Sequence, residues 1–341
     1  MTEGVPGSWT DPTWLAGFSG WATEELQALG YAVTRTPEQT HVRPWSTVVR
    51  VPTDRGNMWA KAMRPSTSHE ARLLPALAAW GVQSVIAPLA VEEVHGWMLL
   101  EDGGPTLRET RPDGTGDHDL GAWEGILATY AELQRTVESR NEELLRLGVP
   151  DGRPAALGAT VEALVGEDRW WKLVGPADRP STDAARDRLR GAGDRIAAWA
   201  AELDASAIAP TIQHDDLHGG NVFAGAAGIR FFDWGDAVVA HPFGTMLATL
   251  NSVARRIGTT PDDPRLDRLR DAYLEAWTDV APRPALYETV TLAVRLARVG
   301  KAGAWARALD GVDSDDMDGH GGAPALWLTD FAQLLDAGVG G

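Results

Sequence analysis

Two polar segments separated by a short strand–turn–strand constrain the fold of this chain most: HDDLHGGN at 214–221 and FFDWGD at 231–236. Between them, the apolar runs NVFAG and IRFFDW flank the turn AAG. This pattern predicts a hairpin that begins at Asn221 and ends at Asp233.

The first segment alone allows two interpretations. His214, Asp216 and His218 alternate along the chain, so on an extended strand they would share one face and could bind zinc or iron. The alternative is a polar loop whose side chains bond to its own backbone. Motifs elsewhere in the chain are needed to distinguish these two interpretations.

Composition excludes several classes of function. The 341 residues contain no cysteine, which excludes disulfides, thiolate metal sites and cysteine nucleophiles and suits a reducing compartment. The net charge of −17 argues against nucleic acid as a partner. No secretory leader or membrane-spanning run is apparent, so we expect a soluble, cytoplasmic protein without a membrane partner. The sequence does not indicate an oligomeric state.

The N-terminal third is predicted to be rich in strands. A helix follows within 66–81, and Pro75 should kink or divide it. A Gly103-Gly104-Pro105 break then marks the end of a first lobe, residues 1–102. The predicted strands are TVVRV (47–51), MWAKA (58–62) and two more within 84–107.

Beyond residue 119 the apolar period becomes helical, starting with a long stripe from Trp123 to Val137. We therefore predict an α+β, bilobal fold in which residues 103–341 form a larger helical lobe. The acidic stretch 313–322 lacks the EF-hand spacing, and we interpret it as a solvated, mobile loop. The further helical segments are predicted at 155–166, 182–204, 243–257, 264–279, 283–308 and 324–337.

The order of polar residues fits phosphoryl transfer from a nucleotide. That reaction needs a carboxylate near the acceptor hydroxyl, oxygen ligands for a metal ion and a cation on the phosphates. Asp216 and Asn221 have the D-x-x-x-x-N spacing of a kinase catalytic loop, and Asp233 follows in a DWG segment. Lys61 lies in the predicted strand MWAKA, where a kinase-type phosphate-binding lysine belongs. A zinc or iron hydrolase would leave Asn221, Asp233 and Lys61 unexplained.

At these residues the chain resembles the aminoglycoside phosphotransferase and choline kinase group of the protein-kinase-like superfamily. QHDDLHGGNVF is similar to that group's H-G-D-L-H-x-G-N, FFDWGDA to its D-W/F-G segment, and MLLEDGG to its hinge. The similarity covers roughly residues 42–245. It implies a bilobal kinase-like fold with a small β-rich lobe and a larger helical lobe.

The resemblance also implies roles for the four residues that match the motifs. Asp216 is expected to be the catalytic residue that accepts or orients the acceptor proton. Asn221 and Asp233 are expected to bind Mg²⁺. Lys61 is expected to bind the α and β phosphates of ATP or GTP.

The motifs define the roles of the neighbouring residues less closely. His214 and His218 are expected to support the catalytic loop, whereas Asp215 stands where the family commonly has glycine and its role stays open. Glu70 fits either an ion pair with Lys61, which EARLL favours by resemblance, or a capping box that begins at Thr67.

The remaining nucleotide contacts are expected from two segments. RPWST (43–47) contains no glycine, so the hydroxyls of Ser46 or Thr47 would replace a glycine-rich phosphate loop. Backbone groups near Glu101 and Gly103 are expected to meet the purine edge.

The acceptor is expected to be a small molecule with a hydroxyl group. The acidic charge and the 15 tryptophans favour a cation, such as an antibiotic or amino sugar. A neutral sugar, a nucleoside or a choline-like alcohol is the alternative. A nucleotide-binding pseudoenzyme and a metal-dependent hydrolase are the two other classes, and the complete set of motif residues argues against both.

Overall fold

Five antiparallel strands form the sheet of the smaller lobe in the computed structural model, which describes residues 9–335. Their bounds are β1 Glu38–Arg43, β2 Ser46–Thr53, β3 Gly56–Met63, β4 Ala90–Glu92 and β5 Trp97–Glu101. In the sheet they lie in the order β1-β2-β3-β5-β4. The prediction missed β1.

The two faces of this sheet have different partners. On β2, Val49 and Val51 are fully buried against helix α1, Pro12–Ala28, and they share a hydrophobic core with its Phe18. The alternate positions Ser46 and Val48 face a cleft below the sheet. The prediction of strands and a single helix in this third of the chain was therefore incomplete, because α1 supplies the cover for the apolar face.

Helix α2, Glu70–Ala79, runs through Pro75 without being divided. Pro75 lies in the second turn, so it removes only the hydrogen bond to the carbonyl of Ala71. Leu73 and Leu77 are fully buried and hold the helix against the core. Of the two predicted effects of Pro75, a kink or a division, the division does not occur.

The larger lobe is helical, and its hairpin lies where the sequence predicts it. The segment predicted at 182–204 consists of two helices that break at 191–192. The segment predicted at 324–337 ends as a helix at Gln333, and residues 336–337 lie outside the described part. The helices are α3 Leu120–Val137, α4 Asn141–Arg146, α5 Pro154–Gly166, α6 Asp168–Lys172, α7 Arg179–Arg190, α8 Gly193–Asp204, α9 Thr245–Ile257, α10 Asp267–Leu274, α11 Arg283–Ala308 and α12 Ala323–Gln333.

Two small strand pairs frame the polar segments. The hairpin pairs β7, Val222–Gly225, with β8, Gly228–Phe231. A second pair, β6 Thr211–Gln213 with β9 Val238–Ala240, was not predicted. β6 ends directly before His214 and β9 begins directly after Ala237, so both polar loops leave the same strand pair and lie side by side.

The acidic stretch 313–322 is only partly solvated. Its aspartates at 313, 315, 316 and 318 are exposed, but Met317 is buried and Gly321 lies against Leu173. The interpretation as a solvated loop therefore holds for its aspartates but not for Met317.

A two-lobed α+β fold is confirmed, whereas the boundary between residues 102 and 103 stays a prediction. Residues 1–8 and 336–341 of the chain lie outside the part that the structure describes. Within residues 9–335, none of the helices has the length and apolarity needed to span a bilayer.

Candidate active site

The loop after β6 turns sharply through Asp215, whose φ of 63° places a non-glycine residue in the left-handed region. Aspartate tolerates this conformation better than most residues, which explains how it can stand where the resembling family commonly has glycine. Its side chain is buried, and Oδ1 accepts a hydrogen bond from Gln213 Nε2 at 2.7 Å. Oδ2 is buried without a hydrogen-bond partner, and burial raises the pKa of the carboxyl to about 7.

His214 ties the same loop to the second polar segment. Its backbone N–H donates to Tyr130 Oη at 2.7 Å, and its ring Nε2 contacts the carbonyl of Phe232 at 2.8 Å. Nδ1 accepts from the backbone N–H of Asp216. Nε2 therefore carries the proton, and burial lowers the pKa of His214, which keeps the ring neutral.

The carboxylate of Asp216 is held from three directions. Asn221 Nδ2 donates to Oδ2 at 3.2 Å, and His218 Nε2 lies 3.4 Å from the same oxygen. Lys301 Nζ lies 3.2 Å from Oδ1. Burial disfavours the charged form, but the Lys301 ammonium and His218 outweigh it and hold the pKa of Asp216 well below its usual range.

Lys61, on β3, lies between two carboxylates. Its Nζ is 2.6 Å from Glu70 Oε2 and 2.6 Å from Asp233 Oδ1. The backbone N–H of Trp234 donates to the other oxygen of Glu70 at 3.0 Å. Helix α2 thus provides an ion pair with Lys61 and not the capping box, and His69 at the helix N-terminus makes no side-chain cap.

Asn221 and Asp233 present oxygen atoms to the cleft. Asn221 uses its amide nitrogen on Asp216, which leaves Oδ1 for a cation. Asp233 uses Oδ1 on Lys61, and its side chain remains 49% exposed. Partial desolvation acts to raise the pKa of Asp233, but the Lys61 ammonium lowers it by more, so the carboxylate is ionised. Amide and carboxylate oxygens fit the ligand preference of Mg²⁺.

One cleft of about 710 Å³ between the lobes is lined by seven of these residues, Lys61, Glu70, Asp216, His218, Asn221, Asp233 and Lys301. Part of its lining is apolar, and there the rings of Phe223 and Phe232 stack with centroids 4.0 Å apart. Glu101 lines the cleft beside them. Gly103 does not line the cleft. Its carbonyl accepts a hydrogen bond from Arg230 Nη2, and a Cβ added at this position would lie 2.2 Å from the Phe223 ring.

Ser46 and Thr47 point to opposite faces of the sheet. Ser46 lines the cleft, whereas Thr47 is fully buried on the other face. The Thr47 hydroxyl donates to the carbonyl of His41 and accepts from Gln39. The prediction for the Thr47 hydroxyl was wrong because neighbouring residues of a strand alternate between its faces.

The sequence prediction missed the basic group beside Asp216. Lys301, on α11, reaches Asp216 and Asp236 from a position 85 residues away in sequence from the catalytic loop. One signal was available: lysine occurs only at positions 61, 172 and 301 of a chain with 31 basic residues. Two of those three lysines are buried in the cleft.

The prediction also missed an aromatic wall at the mouth of the cleft. Trp45, at the turn between β1 and β2, meets Trp305 of α11 edge to face at 5.5 Å between ring centroids. His320 stacks on Trp305 at 4.9 Å. The turn of the small lobe therefore rests on the larger lobe.

The zinc or iron alternative does not match this geometry. Both His214 nitrogens and His218 Nδ1 are engaged in hydrogen bonds with the backbone of the two polar segments. In the part of the chain from 9 to 335, no group of three or more histidine and carboxylate side chains is arranged to hold a metal ion.

The model of the APH phosphotransferase enzyme family matches residues 38–283, which is most of the chain. Comparison with curated protein sequences gives no match.

Solved structures with the same fold include several small-molecule kinases. An ethanolamine kinase from Plasmodium vivax has a TM-score of 0.59 and 14% identity, over 93% of this chain and 88% of that one. An amicoumacin kinase in complex with AMP-PNP, Ca²⁺ and Ami has a TM-score of 0.56 and 16% identity, over 95% and 96%. A thermostable mutant of an aminoglycoside phosphotransferase, in a ternary complex with ADP and hygromycin B, has a TM-score of 0.55 and 12% identity, over 94% and 99%. At these identities the likeness establishes the fold alone.

Proposed function

This chain belongs to the APH phosphotransferase enzyme family, and on that premise we propose that it transfers the γ-phosphate of ATP or GTP to a hydroxyl of a small molecule. One observation carries the proposal. A lysine held between two carboxylates and an Asp216–Asn221 pair face the same cleft. Phosphoryl transfer needs this combination because its catalysis depends on positioning and charge.

The phosphate end of the cleft is built around Lys61. Two of its three N–H donors point at Glu70 and Asp233, so the third is left for a phosphate oxygen. Ser46 supplies a hydroxyl on the same face. Asn221 and Asp233 would hold Mg²⁺, which when bound supplies positive charge against the phosphate oxygens.

At the acceptor end, Asp216 orients the attacking hydroxyl. As the new bond forms between the acceptor oxygen and the γ-phosphorus, the bond from that phosphorus to the bridging oxygen breaks and the nucleoside diphosphate leaves. The acceptor proton passes to Asp216 and then to solvent. The low pKa of Asp216 suits a loose transition state, in which positioning matters more than basicity.

The cleft favours a cationic acceptor, and within that class we propose an amino sugar or an antibiotic that carries one. Carboxylates outnumber lysines and arginines among the residues that line the cleft. Trp45 and Trp305 offer indole rings at its mouth, which bind cations well. A choline-like alcohol shares this chemistry and is the second candidate. A neutral sugar or nucleoside would use only the ring surfaces.

The test is a nucleotide-consumption screen with Mg²⁺ against hydroxylated antibiotics, amino sugars, choline-like alcohols and neutral sugars, with ATP and GTP as donors. We expect turnover with at least one cationic acceptor. Asp216→Asn should abolish that turnover and leave nucleotide affinity within about threefold, because Asp216 faces the acceptor and not the phosphates.

Two results would overturn the proposal. Nucleotide binding without transfer to any acceptor would identify a pseudoenzyme. Near wild-type turnover of the Asp216→Asn protein would remove the assigned role of that carboxylate.

A further inference from the structure

The two buried lysines of the cleft differ in how many of their donors are free. An ammonium group has three N–H donors. Lys61 has two partners, whereas Lys301 Nζ has three: the carbonyl of Asp215 at 2.9 Å, Asp236 Oδ2 at 3.1 Å and Asp216 Oδ1 at 3.2 Å. The donors of Lys301 are therefore all used within the protein.

Lys301 is also shielded. Its side chain is 8% exposed, while those of Asp216 and Asp236 are 37% and 29% exposed. The lysine lines the cleft but is less accessible than either carboxylate that it contacts. Because all three of its donors are engaged, it is not placed to bind a phosphate or an acceptor directly.

We propose that Lys301 is a positioning residue, which fixes the Asp216 carboxylate and the turn at Asp215 in the orientation that receives the acceptor hydroxyl. The inference rests on the proposed function and deepens it. Asn221 and His218 hold Oδ2 of Asp216, and Lys301 is the group that holds Oδ1. Without it, the carboxylate would be held through Oδ2 alone, and Oδ1 would lose its fixed position.

The chemistry of lysine suits this task. Three contacts to oxygens from different directions require a compact head group with donors spread around one atom, whereas the guanidinium of arginine is a planar fork. Lys301→Arg keeps the charge but not the shape, and Lys301→Met keeps the length but not the charge. Lys172→Met removes a charge from a side chain that is 72% exposed and serves as the matched control.

The experiment measures kcat and KM for both substrates in the three variants and in the wild-type protein. We expect Lys301→Met to lower kcat by about 10²-fold and to leave the KM for nucleotide within about threefold, because a misplaced catalytic group slows the chemical step more than binding. Lys301→Arg should recover part of kcat, and Lys172→Met should match the wild type. Equal kcat in all four proteins would overturn the proposal, as would an equal loss in the Arg and Met variants.

A crystal structure of Lys301→Met separates this inference from the proposed function. We expect the Asp216 carboxylate to be rotated or spread over more than one orientation. If the wild-type protein transfers phosphate to no acceptor, the proposed function fails. The crystal structure of Lys301→Met then tests the positioning role of Lys301 on its own. An Asp216 carboxylate in its original orientation would then overturn the inference. If the Met variant does not fold, the kcat of Lys301→Arg relative to Lys172→Met decides, and no loss would overturn it.

Discussion

Asp215 combines two unfavourable features in one residue. It adopts a left-handed backbone conformation, and it buries a carboxylate of which one oxygen has no hydrogen-bond partner. Burial opposes ionisation, so the pKa is raised from an ordinary value of 3.8 to about 7, although Lys301 acts in the other direction. Sequence comparison by motif could show that Asp215 replaces a glycine, but only the structure shows why an aspartate can remain there.

Asp215 should make the protein less stable as the pH rises from about 4 to about 7. In this window the folded state binds more protons than the unfolded state, because the folded pKa is the higher one, so the free energy of unfolding falls with pH. Asp215→Asn removes the titration and keeps a residue that tolerates the left-handed region. We expect the unfolding free energy of Asp215→Asn, relative to that of the wild-type protein, to increase by a few kcal/mol across this window and to level off above it.

Asp318→Asn is the matched control for that measurement. Asp318 also has a positive φ, of 49°, but its side chain is exposed. Chemical denaturation of both variants at a series of pH values is the measurement, and the Asp318→Asn series gives the effect of replacing aspartate by asparagine at an exposed position of positive φ. A difference between Asp215→Asn and the wild-type protein that stays constant with pH would show that the buried carboxylate is ionised throughout.

At the scale of elements, the predictions succeeded where pattern and turn chemistry agree. The hairpin from Asn221 to Asp233 was predicted because two apolar runs flank a turn ending in glycine, and Gly228 has a φ of 91°. Strands β6 and β9 were missed because each has three residues, too few for a period to appear. The pairing that places both polar loops side by side is a long-range contact, which no local pattern encodes.

The residues of the candidate site also divide into those that a local pattern predicts and one that no local pattern predicts. Asp216, Asn221, Asp233 and Lys61 belong to motifs with fixed spacing, and the structure brings them into one cleft. Lys301 has no motif around it, since its position is set by how α11 packs against the loop. Its function can be inferred only from its three contacts.

The hinge after β5 requires glycine at position 103. A Cβ there would lie 2.2–2.5 Å from three atoms of the Phe223 ring, so Gly103→Ala must displace the ring that stacks on Phe232. We expect a loss of about 1–3 kcal/mol in unfolding free energy and a severalfold higher KM for nucleotide.

Gly125→Ala is the control because Gly125 is exposed on α3 with open space around it. This change should stabilise the protein by about 0.5–1 kcal/mol, the usual gain for alanine in a helix. Thermal and denaturant unfolding of both variants would check the pair. Unchanged stability and nucleotide KM in Gly103→Ala would show that Phe223 is not fixed by the hinge.

For the whole molecule, the net charge of −17 acts on the two substrates in opposite ways. A field of this sign attracts a cationic acceptor and repels a nucleotide that remains anionic with Mg²⁺ bound. The cleft has the same sign, since carboxylates predominate along its lining. Salt screens both effects, with a Debye length that falls from about 30 Å at 0.01 M to about 8 Å at 0.15 M ionic strength.

The kcat/KM for a cationic acceptor, measured at saturating nucleotide, should therefore fall severalfold as ionic strength rises over this range. The kcat/KM for nucleotide, measured at saturating acceptor, should rise or stay level, so each substrate serves as the control for the other. Parallel losses for both would indicate a general effect of salt on the enzyme. A kcat/KM for the acceptor that stays constant with ionic strength would show that its charge is not recognised. The aromatic wall of Trp45 and Trp305 would then indicate the chemistry of the acceptor better than the charge does, because ring stacking does not depend on ionic strength in this way.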